Sequence, residues 1–436
     1  MLRQLVLFGA LLLICHVGHV SAADGELTIV IDGGSKAALP IAIVPFAGVG
    51  EITDAVDIAA IVSADLARSG QFKPMAPADM PAAPASFSSV NFKAWRLIGM
   101  ENLVVGKLLS APNGGYVVEF RLLDVIKGEQ LLGFRIPTNV ANMRLTAHHV
   151  SDLIYEKLLQ QKGAFASRIA YVTVSKRGPK QSVYRLQVAD ADGYDPHTIL
   201  ESKQPLLSPA WSPDGQKLAY VSFEERNSAI WIQDIRTGKR EEIIAGFGIN
   251  SAPAFSPNGE RLAVTLSRDG NPEIYTYNLR SGNLTRLTRH QAIDTEANWA
   301  PDGRSLVFTS DRGGGPQIYR LALSGGTPQR VTFNMGNYNT RARHSPDGTK
   351  LAVVHGQDGA YRIAVLDLKT NQYEVLTRTR LDESPSFAPN GSMIIYATMG
   401  KSGSELAATS TDGRLHQRLA VQRGEVREPA WGPFRN

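Results

Sequence analysis

PAWSPDGQKLAYVSF, residues 209–223, is followed from Pro253, 44 residues on, by PAFSPNGERLAVTLS. The turn proline recurs at Pro213, Pro257, Pro301, Pro346, Pro389 and Pro433, in steps of 44, 44, 45, 43 and 44. A period of this size marks a solenoid or a propeller. After each of the first five turns comes a short β-rich run: KLAYVSF, RLAVTLS, SLVFTSD, KLAVVHG and MIIYATM. A second run follows (AIWIQDI, EIYTYNL, QIYRLAL, RIAVLDL, ELAATST) and then a third (EEIIAG, LTRLT, QRVTF, YEVLT, HQRLA). With the run before the proline, each unit holds four short strands and no 3.6-residue periodicity, which predicts one propeller blade. The SPDG turn has its own logic, since Pro presets the second position, Asp or Asn suits the third and Gly tolerates the fourth.

The ends of the array predict its closure. RIAYVTV (168–174), VYRLQVAD (183–190) and HTILES (197–202) are three strands of a blade lacking its first, and EPAWGPF (428–434) is a first strand lacking the rest. Together they complete one blade, for six in all, and closing the ring removes exposed sheet edges.

Residues 38–165 read as a small α/β domain ahead of the propeller at 166–436. PIAIVPF (40–46) is a buried strand, and Thr53 caps a predicted helix from Asp54 to Ser69 with Ile58, Val62 and Leu66 on one face and Gly70 as its stop. LVVGKLLS and YVVEFRLLDV flank a hairpin turn at Asn113-Gly114. A second helix is predicted from about Thr146 to Gln161, ended by Gly163. Residues 23–37, including ADGELTIVIDGGSKA, read as a mobile or conditionally ordered arm in which IVID is a candidate strand.

Residues 1–22 read as a signal peptide: Arg3, an apolar run from Leu5 to Cys15, then Val20-Ser21-Ala22 before a cut after Ala22 or Ala23. That run is too short for a permanent membrane span, so an exported, soluble protein is expected, with no stable membrane insertion. Cys15 is the only cysteine and follows Ile14, so it reads as signal-core filler and not as a lipidation site. The formal charge of +5 is spread along the chain without a basic run, which argues against nucleic acid as a partner.

The search for chemistry finds little. No G-x-S-x-G occurs, the nearest stretch being Gly400-Lys401-Ser402-Gly403-Ser404, and there is no H-E-x-x-H. His148 and His149 are neighbours on a helix, point about 100° apart and read as a surface pair. Asp190 to Asp195 reads as a hairpin turn in preference to a calcium loop. No catalytic residue, metal site or cofactor is expected.

Recognition is left to the segments entering the inner strands, five to seven residues before each turn proline. They are Leu206, Leu207, Ser208; Asn250, Ser251, Ala252; Asp294, Thr295, Glu296; Asn339, Thr340, Arg341; Asp382, Glu383, Ser384; and Val426, Arg427, Glu428. The carboxylates could instead hold a cation. An exported hydrolase or lyase using the channel is the competing reading, resting on Asp294, Glu296, Asp382 and Glu383.

The chain resembles the TolB family of the Tol-Pal system along essentially its whole length. The resemblance rests on ELTIVID-GG, PIAIVPF, KGAFASRIAYV, SPAWSPDGQKLAYVSFE, APAFSPNG, LDESPSFAPNG and STDGR, in that order. It implies a non-enzymatic periplasmic scaffold, monomeric by itself, that serves outer-membrane constriction at cell division and envelope integrity. It implies that the lipoprotein Pal binds the channel mouth, through Leu207, Ser208, Asn250, Ser251, Ala252, Asp294, Thr295, Glu296, Thr340, Arg341, Asp382, Glu383 and Arg427, and that some bacteriocins use the same surface. It also implies that the arm, through Glu26, Ile29, Val30, Ile31 and Asp32, binds the C-terminal domain of TolA, under the control of Pal. Gly33 stands where the family pattern leads one to expect serine, and the last turn reads WGPF where WSP is expected.

Overall fold

The computed structural model describes residues 28–33, 38–48, 56–112, 114–178, 181–400, 403–420 and 424–435. The signal peptide, Glu26, Thr53 and Asp54 lie outside these residues. Among the described residues no helix is long and apolar enough to cross a membrane.

Six antiparallel sheets form the ring. Their inner strands are Glu425–Trp431, Leu206–Trp211, Asn250–Phe255, Asp294–Trp299, Tyr338–His344 and Asp382–Phe387, of blades 1 to 6 in that order, and neighbouring inner strands touch all round. Glu425–Trp431 pairs with Arg168–Gly178, so the two ends of the array meet in blade 1. Blade faces pack on each other through alternating apolar side chains. Val221, Ile230 and Ile232 of blade 2, for example, meet Leu262, Val264 and Leu266 of blade 3. Burial of such side chains stabilises by roughly 1.5–3 kcal/mol each.

The turn motif also links the blades. Gly215, Gly259, Gly303, Gly348 and Gly391 all sit at φ between 67° and 74°, and a Cβ on each would lie 3.2–3.9 Å from the preceding turn's proline. Each SPDG-type glycine therefore supplies a left-handed backbone and a flat surface for its neighbour. Inside the turn, Ser212 Oγ accepts from Lys217 N at 2.9 Å and Asp214 Oδ1 accepts from Gln216 N at 3.0 Å.

The N-terminal domain is a five-stranded sheet in the order Phe72–Pro74, Leu39–Ile43, Asn102–Ser110, Tyr116–Asp124, Glu129–Thr138. Helices α1 (Ile58–Arg68) and α3 (Met143–Leu159) cover it, with α2 at Phe92–Leu97. Val62, Leu66, Val150 and Ile154 pack on Ile41, Ile43, Phe120 and Leu122. The cap of α1 is Asp57, whose Oδ1 accepts from Ala60 N at 3.0 Å, and not Thr53. Gly163 does not end α3, which closes at Gln160 with φ 57°. A Cβ at Gly163 would lie 2.5 Å from Asp152 Cα, so close approach is what this glycine allows.

The segment read as a mobile or conditionally ordered arm contains a strand, over the candidate IVID. β1 (Thr28–Gly33) pairs antiparallel with Leu415–Ala420 as a fifth strand of blade 6, with Ile31 opposite Gln417. The outermost strand of any blade offers an open edge, and docking satisfies backbone groups that the arm would otherwise leave to water.

Replacing Gly215 by Ala combines strain at positive φ with a contact to Pro433, whereas Gly238→Ala adds strain in open space. Chemical denaturation should show both variants destabilised by about 1 kcal/mol, with the larger loss at Gly215.

Candidate functional site

Every inner strand carries one extra residue. In blade 2 the register runs Leu207↔Val221 and then Ala210↔Ala219, and the same shift occurs in the other five blades. The bulged residues are Ser208, Ala252, Glu296, Arg341, Ser384 and Glu428, all at φ between 50° and 59°. None is glycine, so each position is held in a conformation that costs about 1–3 kcal/mol. Pro209, Pro253, Pro385 and Pro429 follow four of them. Proline is tolerated there because an inner strand is an edge strand with no ladder partner on the lumen side.

The bulge brings these residues together across the channel. Arg341 of blade 5 donates from Nε to Glu296 Oε1 of blade 4 at 2.8 Å and from Nη1 to Glu428 Oε1 of blade 1 at 3.2 Å. It also donates to Ser384 of blade 6. Glu428 Oε2 accepts from Ser208 N of blade 2 at 3.2 Å, and Glu296 Oε2 accepts from Thr309 Oγ1 at 3.1 Å. Five of the six blades thus share one charge network. The Glu428 and Glu296 carboxylates, with Glu383 nearby, raise the Arg341 pKa despite its burial. Two positions deeper, Arg343 is lowered by desolvation, and its described side-chain partner is the Ala342 carbonyl at 3.0 Å.

Beside this network lies a cleft of about 660 Å³ lined by Thr295, Glu296, Thr340, Arg341, Asp382, Glu383 and Arg427 with Ile293, Tyr361, Leu381 and Met399. Ile249, Ile293 and Leu381 occupy the same position in blades 3, 4 and 6, one residue before the inner strand begins, and are 47%, 48% and 49% exposed. Phe247, between two glycines, is 91% exposed. A window starting at the strand's first residue misses this apolar rim. The signal was isoleucine, leucine and phenylalanine within otherwise polar turns.

Six expected recognition residues, one per blade, belong to the framework instead: Leu206, Asn250, Asp294, Asn339, Asp382 and Val426 are all buried. Asn250 is buried and donates from Nδ2 to Ser228 O at 2.7 Å and Gly246 O at 3.1 Å. Asp294 is fully buried and takes Arg312 Nη2 on both oxygens, at 2.9 and 2.6 Å. Asp382 accepts from the hydroxyls of Thr377, Thr379 and Thr398. The residue two places before each bulge is buried, and a polar one there must be satisfied internally. Leu207, Glu383 and Arg427 are exposed, Ser251 and Thr295 half-buried, and Thr340 buried. Ala252 and Ser208 sit at bulges. Glu428 and Ser384, in the network, were absent from the implied Pal set.

Of the four carboxylates behind the hydrolase reading, Asp294, Asp382 and Glu296 are committed to structural partners, and Glu383 is exposed. Gly400 and Gly403 are register partners of neighbouring strands, and Lys401 and Ser402 lie outside the described residues. His148 is not on the surface but buried against Asp65. Asp190 and Asp195 flank a hairpin turn, as expected.

Comparison with known proteins agrees along the chain. Residues 27–131 match the TolB amino-terminal domain and residues 155–435 the TolB beta propeller domain. The Tol-Pal system protein TolB of Nitrosococcus oceani is 58% identical over 427 residues, covering 98% of each chain. That of Thioalkalivibrio sulfidiphilus is 56% identical over 436 residues, covering 100% of this chain and 98% of the other. The crystal structure of TolB from Acinetobacter baumannii superposes with a TM-score of 0.86 at 43% identity, over 94% of this chain and 100% of that one.

Arg341→Ala leaves two partly buried carboxylates without their cation. Denaturation at pH 7 should show a loss of about 1.5–3 kcal/mol. In a Glu296→Gln, Glu428→Gln background the loss should shrink; an equal loss in both backgrounds would contradict the charge network.

Proposed function

The chain belongs to the TolB family, and on that premise we propose that it is a non-enzymatic periplasmic scaffold that joins the lipoprotein Pal of the outer membrane to TolA of the inner membrane. Its service is to outer-membrane constriction at division and to envelope integrity. The observation that carries this reading is the mouth of the channel: a rigid charged floor surrounded by exposed Phe247, Ile249, Ile293, Leu381 and Met399. Interfaces concentrate binding energy in a few apolar or aromatic anchors within a polar surround. Scattered apolar residues need no explanation, but three at one repeat position do.

In this reading Pal occupies the cleft, contacting Leu207, Glu383 and Arg427 besides the rim, while Glu296 and Arg341 shape the floor. The arm serves TolA. β1 lies at the outer edge of its sheet, and a short strand of this kind can add to a partner's sheet edge. Docked on blade 6, it is held back from TolA by whatever free energy the docking contributes. A ligand that favours docking lowers TolA affinity, and TolA lowers that ligand's affinity by the same factor.

Calorimetric titration of residues 23–436 with the soluble domain of Pal should give saturable one-to-one binding. Ile293→Asp or Leu381→Asp should weaken it about tenfold or more, equivalent to ~1.4 kcal/mol. Deleting residues 23–34 should abolish binding of the TolA C-terminal domain and leave Pal binding nearly intact. Absence of Pal binding by folded protein, or equal loss of both partners on deletion, would overturn the scaffold reading.

A further inference from the structure

A second charged cluster lies at the seam between the two domains. Asp65 comes from α1, His148 from α3, and Asp192 from the turn between Gln181–Asp190 and His197–Ser202 of blade 1. His148 is 1% exposed. Its Nδ1 is 2.7 Å from Asp65 Oδ2 and its Nε2 is 3.7 Å from Asp192 Oδ2, with no hydrogen-bond partner on Nε2. Ser151 Oγ donates to the same Asp65 oxygen at 2.7 Å.

The other groups facing the imidazole come from every element around it. From α1, Arg68 holds Asp65 Oδ1 at 2.9 Å. From α3, Arg144 pairs with Asp192, reaches Asp190 at 3.9 Å and lies over the Tyr194 ring, and His149 and Asp152 are nearby. From the C-terminal segment, Arg435 reaches Asp190 at 3.7 Å. The three ligand-type side chains do lie close enough to share an ion, within 4.8 Å. Both carboxylates, however, already face guanidiniums, and a dication would have to sit against Arg68 and Arg144.

Only one protonation state satisfies the geometry. A neutral imidazole that donates from Nδ1 to Asp65 turns the buried Nε2 lone pair toward the Asp192 carboxylate. The other tautomer sets its lone pair against Asp65 instead. An imidazolium carries an N–H on both nitrogens: it hydrogen-bonds Asp65 at 2.7 Å and faces the Asp192 carboxylate as an ion pair at 3.7 Å. We propose that His148 is a proton-operated latch: charged, it ties Asp65 of the N-terminal domain to Asp192 of the propeller, and neutral, it lets that tie go. Burial alone would lower its pKa, yet the Asp65 charge and hydrogen bond, joined by Asp192, raise it above the ordinary value. The stabilisation is therefore full below about pH 6.5 and is lost as pH rises through the raised folded-state value.

Asp152 acts in the same direction and must be separated from it. Its carboxylate accepts from Phe165 N at 2.7 Å and Ala166 N at 3.3 Å, on the segment joining the domains, and burial pushes it up to about 7. The cluster also lies close to the arm. The Arg68 carbonyl accepts from Gln417, the register partner of Ile31 in β1.

The test is a pH titration of the full chain with labelled histidine, followed by NMR, alongside thermal midpoints from pH 5.5 to 9. His148 should titrate above 6.5 in the wild type and at a lower pH in Asp192→Asn, whose isosteric side chain keeps the turn intact. The fall in midpoint across that range should be smaller in His148→Gln, and the difference should survive in an Asp152→Asn background. A wild-type His148 already neutral at pH 6, or a titration unmoved by Asp192→Asn, would overturn the latch. So would an undiminished pH dependence in His148→Gln.

Discussion

The mouth depends on one backbone constraint, the left-handed bulge in each inner strand. Six residues that are not glycine adopt φ near 55° at equivalent places. Each bulge offsets two residues against one and turns a side chain into the lumen. Without it, Glu296, Arg341, Ser384 and Glu428 would not meet, because they come from four different blades. Blade packing holds the strained positions in place. The charge network in turn recovers part of their cost, since hydrogen bonds to charged groups contribute about 1.5–3 kcal/mol each.

The propeller was legible because its punctuation is local. The Pro-Asp/Asn-Gly turns are set by the backbone preferences of those residues, so their spacing reports the blade directly. Closure was legible for the same reason, as a first strand lay at one end of the chain and three others at the start of the array. The helix boundaries were less so. Asp57 and Gln160 end their helices through contacts and a positive φ that any of several nearby residues could have provided. The candidate site was only partly readable. Asp294 and Asp382 look like recognition residues by type, and nothing in the residue types of Arg312, Thr377, Thr379 and Thr398 marks them as their partners. A single sequence does not display such pairings. Nor could it show that His148 faces a turn of another domain.

The two halves of the molecule also divide the work physically. The ring is rigid, with apolar faces between all its blades and a charged floor at one end. The arm and the seam are held by more polar interactions: β1 by backbone pairing on one side, and the contact of α1 and α3 with blade 1 by a buried set of carboxylates, guanidiniums and one imidazole. Segments of that kind sit at the low end of local stability and are the ones whose equilibria a ligand or a proton can shift.

The central claim is that the bulged mouth, with its apolar rim, is the face that receives a partner. Hydrogen–deuterium exchange of the full chain with and without the soluble domain of Pal tests it most directly. The account predicts protection at residues 246–252, 291–296, 338–341 and 381–384, with the outer strands of the blades unchanged. Protection confined to the N-terminal domain or the opposite face of the ring, with the mouth unaffected, would contradict it.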